Sequence, residues 1–361
     1  MSSTTGDKIK VTLFGQSHSP GMGVVVDGLP PGEEIDLERV RAFLARRAPG
    51  QGPHTTARRE PDLPEVLSGL VDGRTCGAPL CAVIRSTDAR SGDYDELRRK
   101  PRPGHADYTA WAKFGPHRDV RGGGEFSGRL TAPLCFAGAV CLQLLERRGV
   151  RVGAHILSIA GAADAPFDPV AVTARELAAP GEKAFPVLDD GAGGRMLEAI
   201  AAAKAEQDSV GGVVECCALG VPPGTGDTFF GGLEARISAL MFSIPAVKGV
   251  EFGQGFAAAG LRGSRNNDEF YFDEAGQVRT RTNCHGGILG GLASGMPLIL
   301  RAAFKPTPSI GREQRTVDLE AGKDALLTIR GRHDPCVVPR AVPVVEAALA
   351  LALADALLGG R

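Results

Sequence analysis

Residues 341–358 put the firmest limit on what this chain can fold into. They form its most apolar stretch, rich in alanine and interrupted by Glu346 and Asp355. A helix that is apolar all round must be covered all round. The two carboxylates count against a membrane span, so the stretch reads as a buried or oligomer-facing helix. A second apolar helix is expected over 133–145, with Pro133 in a first turn, where proline is well tolerated. The rest of the pattern is mixed. Strands are expected over 11–14, 23–27, 80–85, 150–159 and 297–303. Helices are expected over 36–47, with Asp36 as N-cap, near 169–178, over 195–207 and over 233–241. A hairpin is expected around Glu274-Ala275-Gly276.

The chemistry concentrates in residues 98–131, just before the 133–145 helix. A cationic run, Arg98-Arg99-Lys100-Pro101-Arg102, enters a Pro103-Gly104 turn, and His105 and Asp107 follow it. Gly122-Gly123-Gly124 then lets backbone approach a ligand closely, and Ser127-Gly128-Arg129 opens the helix, whose N-terminus suits an anion. A lone histidine or glycine triplet reads as an ordinary loop before a core helix; the combination points to an anion site. Charge balance makes such local clusters telling. With 41 Lys+Arg against 42 Asp+Glu, net −1, the chain lacks the basic excess of a general nucleic-acid or membrane-surface binder. The eight cysteines form no CxxC pair and sit mostly in apolar runs, as expected of reduced thiols in a cytosolic protein. Residues 1–7 are polar and carry no signal-peptide core.

Other candidates lie along the chain. His18 falls on a turn between two strands, where it either caps the turn or points into a cleft. Arg46 and Arg47 end the 36–47 helix, where cations commonly complement the dipole. Residues 283–291 make a second glycine-rich loop, and Lys305-Pro306-Thr307-Pro308-Ser309 offers a cation and two hydroxyls suited to a phosphate. No P-loop, no strand-borne GxGxxG and no metal-ligand spacing is present. A short internal repeat pairs residues 25–32 with 217–224, each a strand running into Pro-Pro-Gly. The organisation expected is a single domain over 1–361, with two βα halves at 1–150 and 210–361 and a helical insertion between them.

With those residues assembled, the chain resembles the chorismate synthase family over nearly its whole length. The resemblance is carried by Gly15-Gln16-Ser17-His18 through Asp27-Gly28-Leu29-Pro30, by Arg102-Pro103-Gly104-His105-Ala106-Asp107 with the glycine triplet, by Gly331-Arg332-His333-Asp334-Pro335-Cys336 through Glu346, and by 283–291 and 305–309. It implies an α+β fold, a β-α-β sandwich with helices between antiparallel sheets in two pseudo-symmetric halves, assembled as a homotetramer in the cytoplasm without nucleic-acid or membrane partners. It implies a 1,4-anti elimination of phosphate from 5-enolpyruvylshikimate 3-phosphate. That reaction uses reduced FMN without net redox change, and NADPH is one source of the reducing electrons. His18, His105 and Asp334 are then the catalytic residues: His18 for the leaving phosphate, His105 for the reduced flavin near N1, Asp334 for the ring hydrogen passing to flavin N5. Arg46, Arg102 and Arg129 are placed on the substrate. Glu125, Phe126, Ser127, Pro245, Ala246, Gly290, Lys305, Pro306, Thr307, Pro308, Ser309 and Arg332 match flavin-contacting segments, and Arg47 matches a nicotinamide contact. The chain departs from the family pattern at Gln16, usually Glu, at Ser19, usually Gly, at Pro53, and across 125–131, notably Glu125, Phe126 and Leu130. The competing readings are a flavin oxidoreductase with net hydride transfer and a non-catalytic phosphoanion binder.

Overall fold

The computed structural model describes residues 3–50, 52, 55, 60–87, 96–329 and 333–358. Two five-stranded antiparallel sheets form the outer layers. The first orders its strands Thr4–Thr5, Lys10–Gly15, Gly21–Asp27, Leu80–Arg85 and Pro64–Ser68. The second orders Val247–Phe252, Leu298–Phe304, Gly212–Leu219, Arg151–Ile159 and Ala162–Ala163. Between the sheets lie the two apolar helices, Thr131–Glu146 and Val338–Leu358, packed on each other. The first also meets the first sheet and the second meets the second sheet. This is the sandwich with interior helices that the resemblance implies.

The helical stretches Gly128–Glu146 and Val338–Leu358 are long and apolar enough to cross a membrane by length and composition, and 83% of each window is buried inside the protein. Their apolar surface is thus spent on each other and on the sheets. The crossing is close because Gly138 carries no side chain: a Cβ there would stand 2.2 Å from that of Ala347. Glu346, Asp355 and Gln143, the polar groups these helices take inside, are each met. The two Arg46 Nη donors fork onto Glu346 at 2.7 and 2.8 Å, and Ala154 N donates to the same carboxylate at 3.1 Å. Asp355 accepts the backbone N–H groups of Asp7, Lys8 and Ile9, which pins the N-terminal segment to the last helix. Gln143 bridges the Asp36 backbone with both ends of its amide, 2.9 and 3.0 Å. A buried polar group left without partners would cost about 1–3 kcal/mol.

His155, in the second sheet, is wholly buried between Asp164, 3.3 Å from Nδ1, and Glu215, 3.1 Å from Nε2. Burial opposes its charge, but the two carboxylates outweigh that and hold its pKa above the ordinary value. Carboxylates only accept, so a ring that donates to both is protonated. All eight cysteines are free thiols. Burial pushes Cys135, Cys141 and Cys336 up to about 12, which keeps them unreactive.

Three boundaries differ from the sequence reading. Over 169–178 only Ala174–Ala178 is α-helical. Asp168 folds 168–171 into a tight turn by accepting from Val170 N and Ala171 N, and the Thr173–Glu176 capping box starts the helix after it. The next helix starts early, as Asp190–Ala205, capped by Asp189. Gly191, Gly193 and Gly194 disfavour helix locally, and burial of Ala192, Met196 and Ile200 overrides them. The last helix begins at Val338, ahead of the apolar stretch at 341–358, taking Pro339 into its first turn and keeping Pro343 inside. The paired Pro-Pro-Gly segments have matching backbones: Gly28 and Gly220 have φ of 83° and 76°, and a Cβ at either would strike a carbonyl oxygen, of Lys8 or Gly149.

Candidate active site

The glycine triplet is where the two candidate histidines meet. Gly122, Gly123 and Gly124 all have left-handed φ, 59°, 87° and 55°, so this backbone requires glycine. A Cβ on Gly122 would lie 2.4 Å from His18 Cε1 and 2.6 Å from Ser17 Oγ, and one on Gly123 would lie 3.1 Å from His105 Nε2. The two rings therefore flank neighbouring glycines although 87 positions of sequence numbering, from 18 to 105, separate them. Ser17 N donates to Gly124 O at 3.1 Å and ties the loops directly. His18 and Ser17 are buried, and Ser17 Oγ has no hydrogen-bond partner among the described residues. Ser19 closes the His18 turn. Its hydroxyl accepts from Gln16 N at 3.0 Å and lies 2.8 Å from Gln16 O and 2.6 Å from Gly21 O.

His105 is held by its own loop. Its Nδ1 lies 2.7 Å from Asp107 Oδ1, which can only accept, so Nδ1 carries the hydrogen and Nε2 is the nitrogen turned to Gly123. Asp107 also accepts from Arg102 N, Nε and Nη2 at 3.0, 2.7 and 2.9 Å. Burial opposes the Asp107 charge, but the Arg102 and His105 hydrogen bonds hold it well below the usual carboxylate range. Arg102 Nη1 donates to Ser309 Oγ at 3.1 Å, and Pro308 packs beside the Gly104 turn. The 305–309 loop thus abuts the His105 loop. Its Thr307 Oγ1 donates to the Asp334 carbonyl at 2.9 Å, and Lys305 N donates to Ala246 O at 3.0 Å. Burial, helped by nearby Lys248, lowers the Lys305 pKa. Ala246, next to exposed Pro245, has φ of 76°, a strained value for alanine of the kind that collects at functional sites.

Behind this front lies a buried ion network. Asp62 accepts from Arg47 Nη1 at 2.5 Å and from Arg129 Nη1 at 2.8 Å, and Glu60 lies 3.4 Å from Arg129 Nη2. Arg47 spends its other donors on Thr131 Oγ1 and Gly128 O, both at 3.0 Å. Arg46 and Arg47, adjacent in sequence, therefore brace different partners, Glu346 and Asp62. Ser127 accepts from Arg129 N at 3.3 Å, and Glu125 and Phe126 are exposed at the end of the glycine turn. Gly290 turns a small hairpin, Ile288–Leu289 with Leu292–Ala293, whose Gly291 sits against Asp227 and Gly232. Arg332 lies outside the described residues, as does most of 51–59.

The family profile for chorismate synthase matches residues 9–358. A chorismate synthase of Korarchaeum cryptofilum is 47% identical over 356 residues, covering 97% of this chain and 96% of its own. The chain belongs to the chorismate synthase family. The chorismate synthase of Thermococcus kodakarensis is 47% identical, covering 99% and 98%, and that of Synechocystis sp. is 46% identical, covering 99% and 98%. A crystal structure of chorismate synthase aligns with a TM-score of 0.75 at 27% identity, covering 98% of this chain and 93% of that one. The chain is accordingly a carbon–oxygen lyase of the shikimate pathway. Against the family pattern, Ser19 replaces a usual glycine without disturbing the His18 turn, because its hydroxyl staples that turn.

Sequence reasoning missed Asp107 as the group that orients His105, Asp62 and Glu60 as the anchors of Arg47 and Arg129, and Arg340. Asp107 had a signal, its place two residues past the histidine. Asp62 and Glu60 had none, since they follow a polar loop and only the folded chain brings them to Arg129. Asp334 lies ahead of a helix that starts at Val338, and its carboxylate accepts from Arg340 Nη1 at 2.5 Å.

Proposed function

We propose that this chain converts 5-enolpyruvylshikimate 3-phosphate to chorismate by a 1,4-anti elimination that requires reduced FMN and consumes no reductant. The observation that carries the reading is the convergence of His18 and His105 on Gly122 and Gly123 beside buried arginines. A flavin phosphate and the substrate's anions suit the donor set present: Lys305, Thr307 and Ser309, the arginines Arg102 and Arg129, and the orphaned Ser17 hydroxyl. The side-chain-free backbone at 122–123 lets both histidine rings close in on it. Reduced FMN, when bound, supplies an electron-rich ring that assists C–O cleavage without net oxidation.

His18 gives its proton to the leaving phosphate oxygen as the C–O bond breaks. His105, its Nδ1 hydrogen fixed by Asp107, keeps Nε2 toward the cleft and offsets negative charge there. Asp334 relays the proton lost from the ring carbon, and the electrons of that C–H bond become the new double bond. Arg102 and Arg129 hold anions; their carboxylate partners fix the guanidinium planes before substrate arrives, so little reorganisation is needed on binding. Arg46 and Arg47 serve the frame, because Glu346 takes the Arg46 fork and Asp62, Thr131 and Gly128 take the Arg47 donors. Assembly as a homotetramer in the cytoplasm is part of the same proposal, and the outward Phe229, Phe230, Phe256 and Phe272, 76–97% exposed, supply apolar surface for it.

His18→Ala and His105→Ala are expected to lower kcat by about 10- to 10⁴-fold, the range for a positioned acid, with folding intact by circular dichroism. Wild-type kcat in both variants would return the two histidines to ordinary loop residues.

A further inference from the structure

We propose that Arg340 is a positioning residue for the reaction, fixing the carboxylate of Asp334 at the edge of the site; this rests on the reading of Asp334 as the proton relay. Arg340 stands in the first turn of the Val338–Leu358 helix. Its Nη1 donates to Asp334 Oδ2 at 2.5 Å, and its Nε donates to the Arg47 carbonyl at 3.0 Å. That carbonyl belongs to the last residue of the Leu37–Arg47 helix, whose terminal C=O groups want donors and favour a cation. A planar guanidinium anchored at Nε by the Arg47 carbonyl has little freedom to swing, so the carboxylate on its Nη1 is held as well.

The grip on Asp334 comes from both sides. Thr307 donates to its backbone carbonyl from the loop that also holds Arg102 beside His105. Arg340 holds the side chain from the frame, and through Arg47 that frame reaches Asp62, Gly128 and Thr131. Arg340 itself lines a separate cavity of about 210 Å³ with Arg46, Thr55, Pro339 and Pro343; neither histidine nor the glycine triplet lines it. Its influence on the reaction therefore runs through Asp334. Burial lowers the Arg340 pKa even with Asp334 beside it, so the cation is kept in a place that costs it solvation.

The test is a cycle of Asp334→Asn, Arg340→Met and the double variant, read by kcat, by substrate affinity and by the crystal structure of Arg340→Met without ligands. Asp334→Asn is expected to lose at least roughly tenfold in kcat. Arg340→Met is expected to lose a similar factor with substrate and FMN affinities within about threefold of wild type. Adding it to Asp334→Asn is expected to cost less than about twofold more, the non-additivity of residues acting as one unit. In the Arg340→Met crystals the Asp334 carboxylate is expected to be turned from its present place. Arg340→Lys, which cannot reach both partners with one ammonium, is expected to fall between and serves if the methionine variant does not fold. Wild-type kcat in Asp334→Asn would overturn the relay reading itself. A slow Asp334→Asn beside a fully active Arg340→Met or Arg340→Lys, an unmoved carboxylate, or equal losses from Arg340→Met in both backgrounds would overturn the positioning role alone.

Discussion

Gly122→Ala is expected to cost about 10²-fold or more in kcat, comparable to losing His18 outright. The added methyl would lie 2.4 Å from His18 Cε1, 2.5 Å from its Nδ1 and 2.6 Å from Ser17 Oγ. No real side chain tolerates such contacts, so the ring or the loop must move. Holding alanine at φ of 59° adds about 1–2 kcal/mol of backbone strain. Neither route leaves His18 where it was. Gly194→Ala, in the middle of the Asp190–Ala205 helix with open space around it, is the control and is expected to keep full activity and gain slightly in stability. Steady-state turnover of the two variants checks this. Wild-type kcat in Gly122→Ala would show that the triplet does not set the position of His18.

Asp107→Asn is expected to be nearly as severe, with kcat lower by about 10²- to 10⁴-fold and a clear loss of thermal stability. The carboxylate has two oxygens, and each already faces hydrogen donors. Oδ2 takes Arg102 N and Nε; Oδ1 takes Arg102 Nη2 and His105 Nδ1. An asparagine must put its NH₂ at one of those places, so either flip sets donors against donors. One flip releases the His105 ring from its tautomer, and the other loosens Arg102 and, through it, Ser309. Removing one member of a buried ion pair also costs about 3–5 kcal/mol. Turnover and a melting curve together read both effects. An Asn variant as active and as stable as the parent would mean that Asp107 neither orients His105 nor anchors Arg102.

Much of this was legible in the chain itself, for identifiable reasons. The two central helices announced themselves because apolar residues on every face leave a helix nowhere to go except inside. The Asp36 cap was readable because capping is local, one side chain and two amides within three residues. The candidate histidines stood out because glycine, proline and arginine crowd around them. Their meeting at Gly122 and Gly123 was not readable, since it depends on a turn of the first sheet meeting the distant segment that leads into the Thr131–Glu146 helix. Arg46 and Arg47 look alike in sequence, but neighbouring helix residues point about 100° apart, which sends one to Glu346 and the other to Asp62. Asp334 carries no local sign of its partner. Once the helix starts at Val338, the residue six places on, Arg340, becomes its partner, a spacing that no helical periodicity predicts.

The most direct measurement is the stoichiometry of reductant. The enzyme is supplied anaerobically with 5-enolpyruvylshikimate 3-phosphate and a small, known amount of reduced FMN, and phosphate, chorismate and remaining reduced flavin are counted together. An elimination without net redox change predicts many equivalents of phosphate and chorismate for each flavin, with the flavin still reduced at the end and no turnover when FMN is oxidised or absent. One reductant consumed for every product formed, or full turnover without reduced flavin, would contradict it.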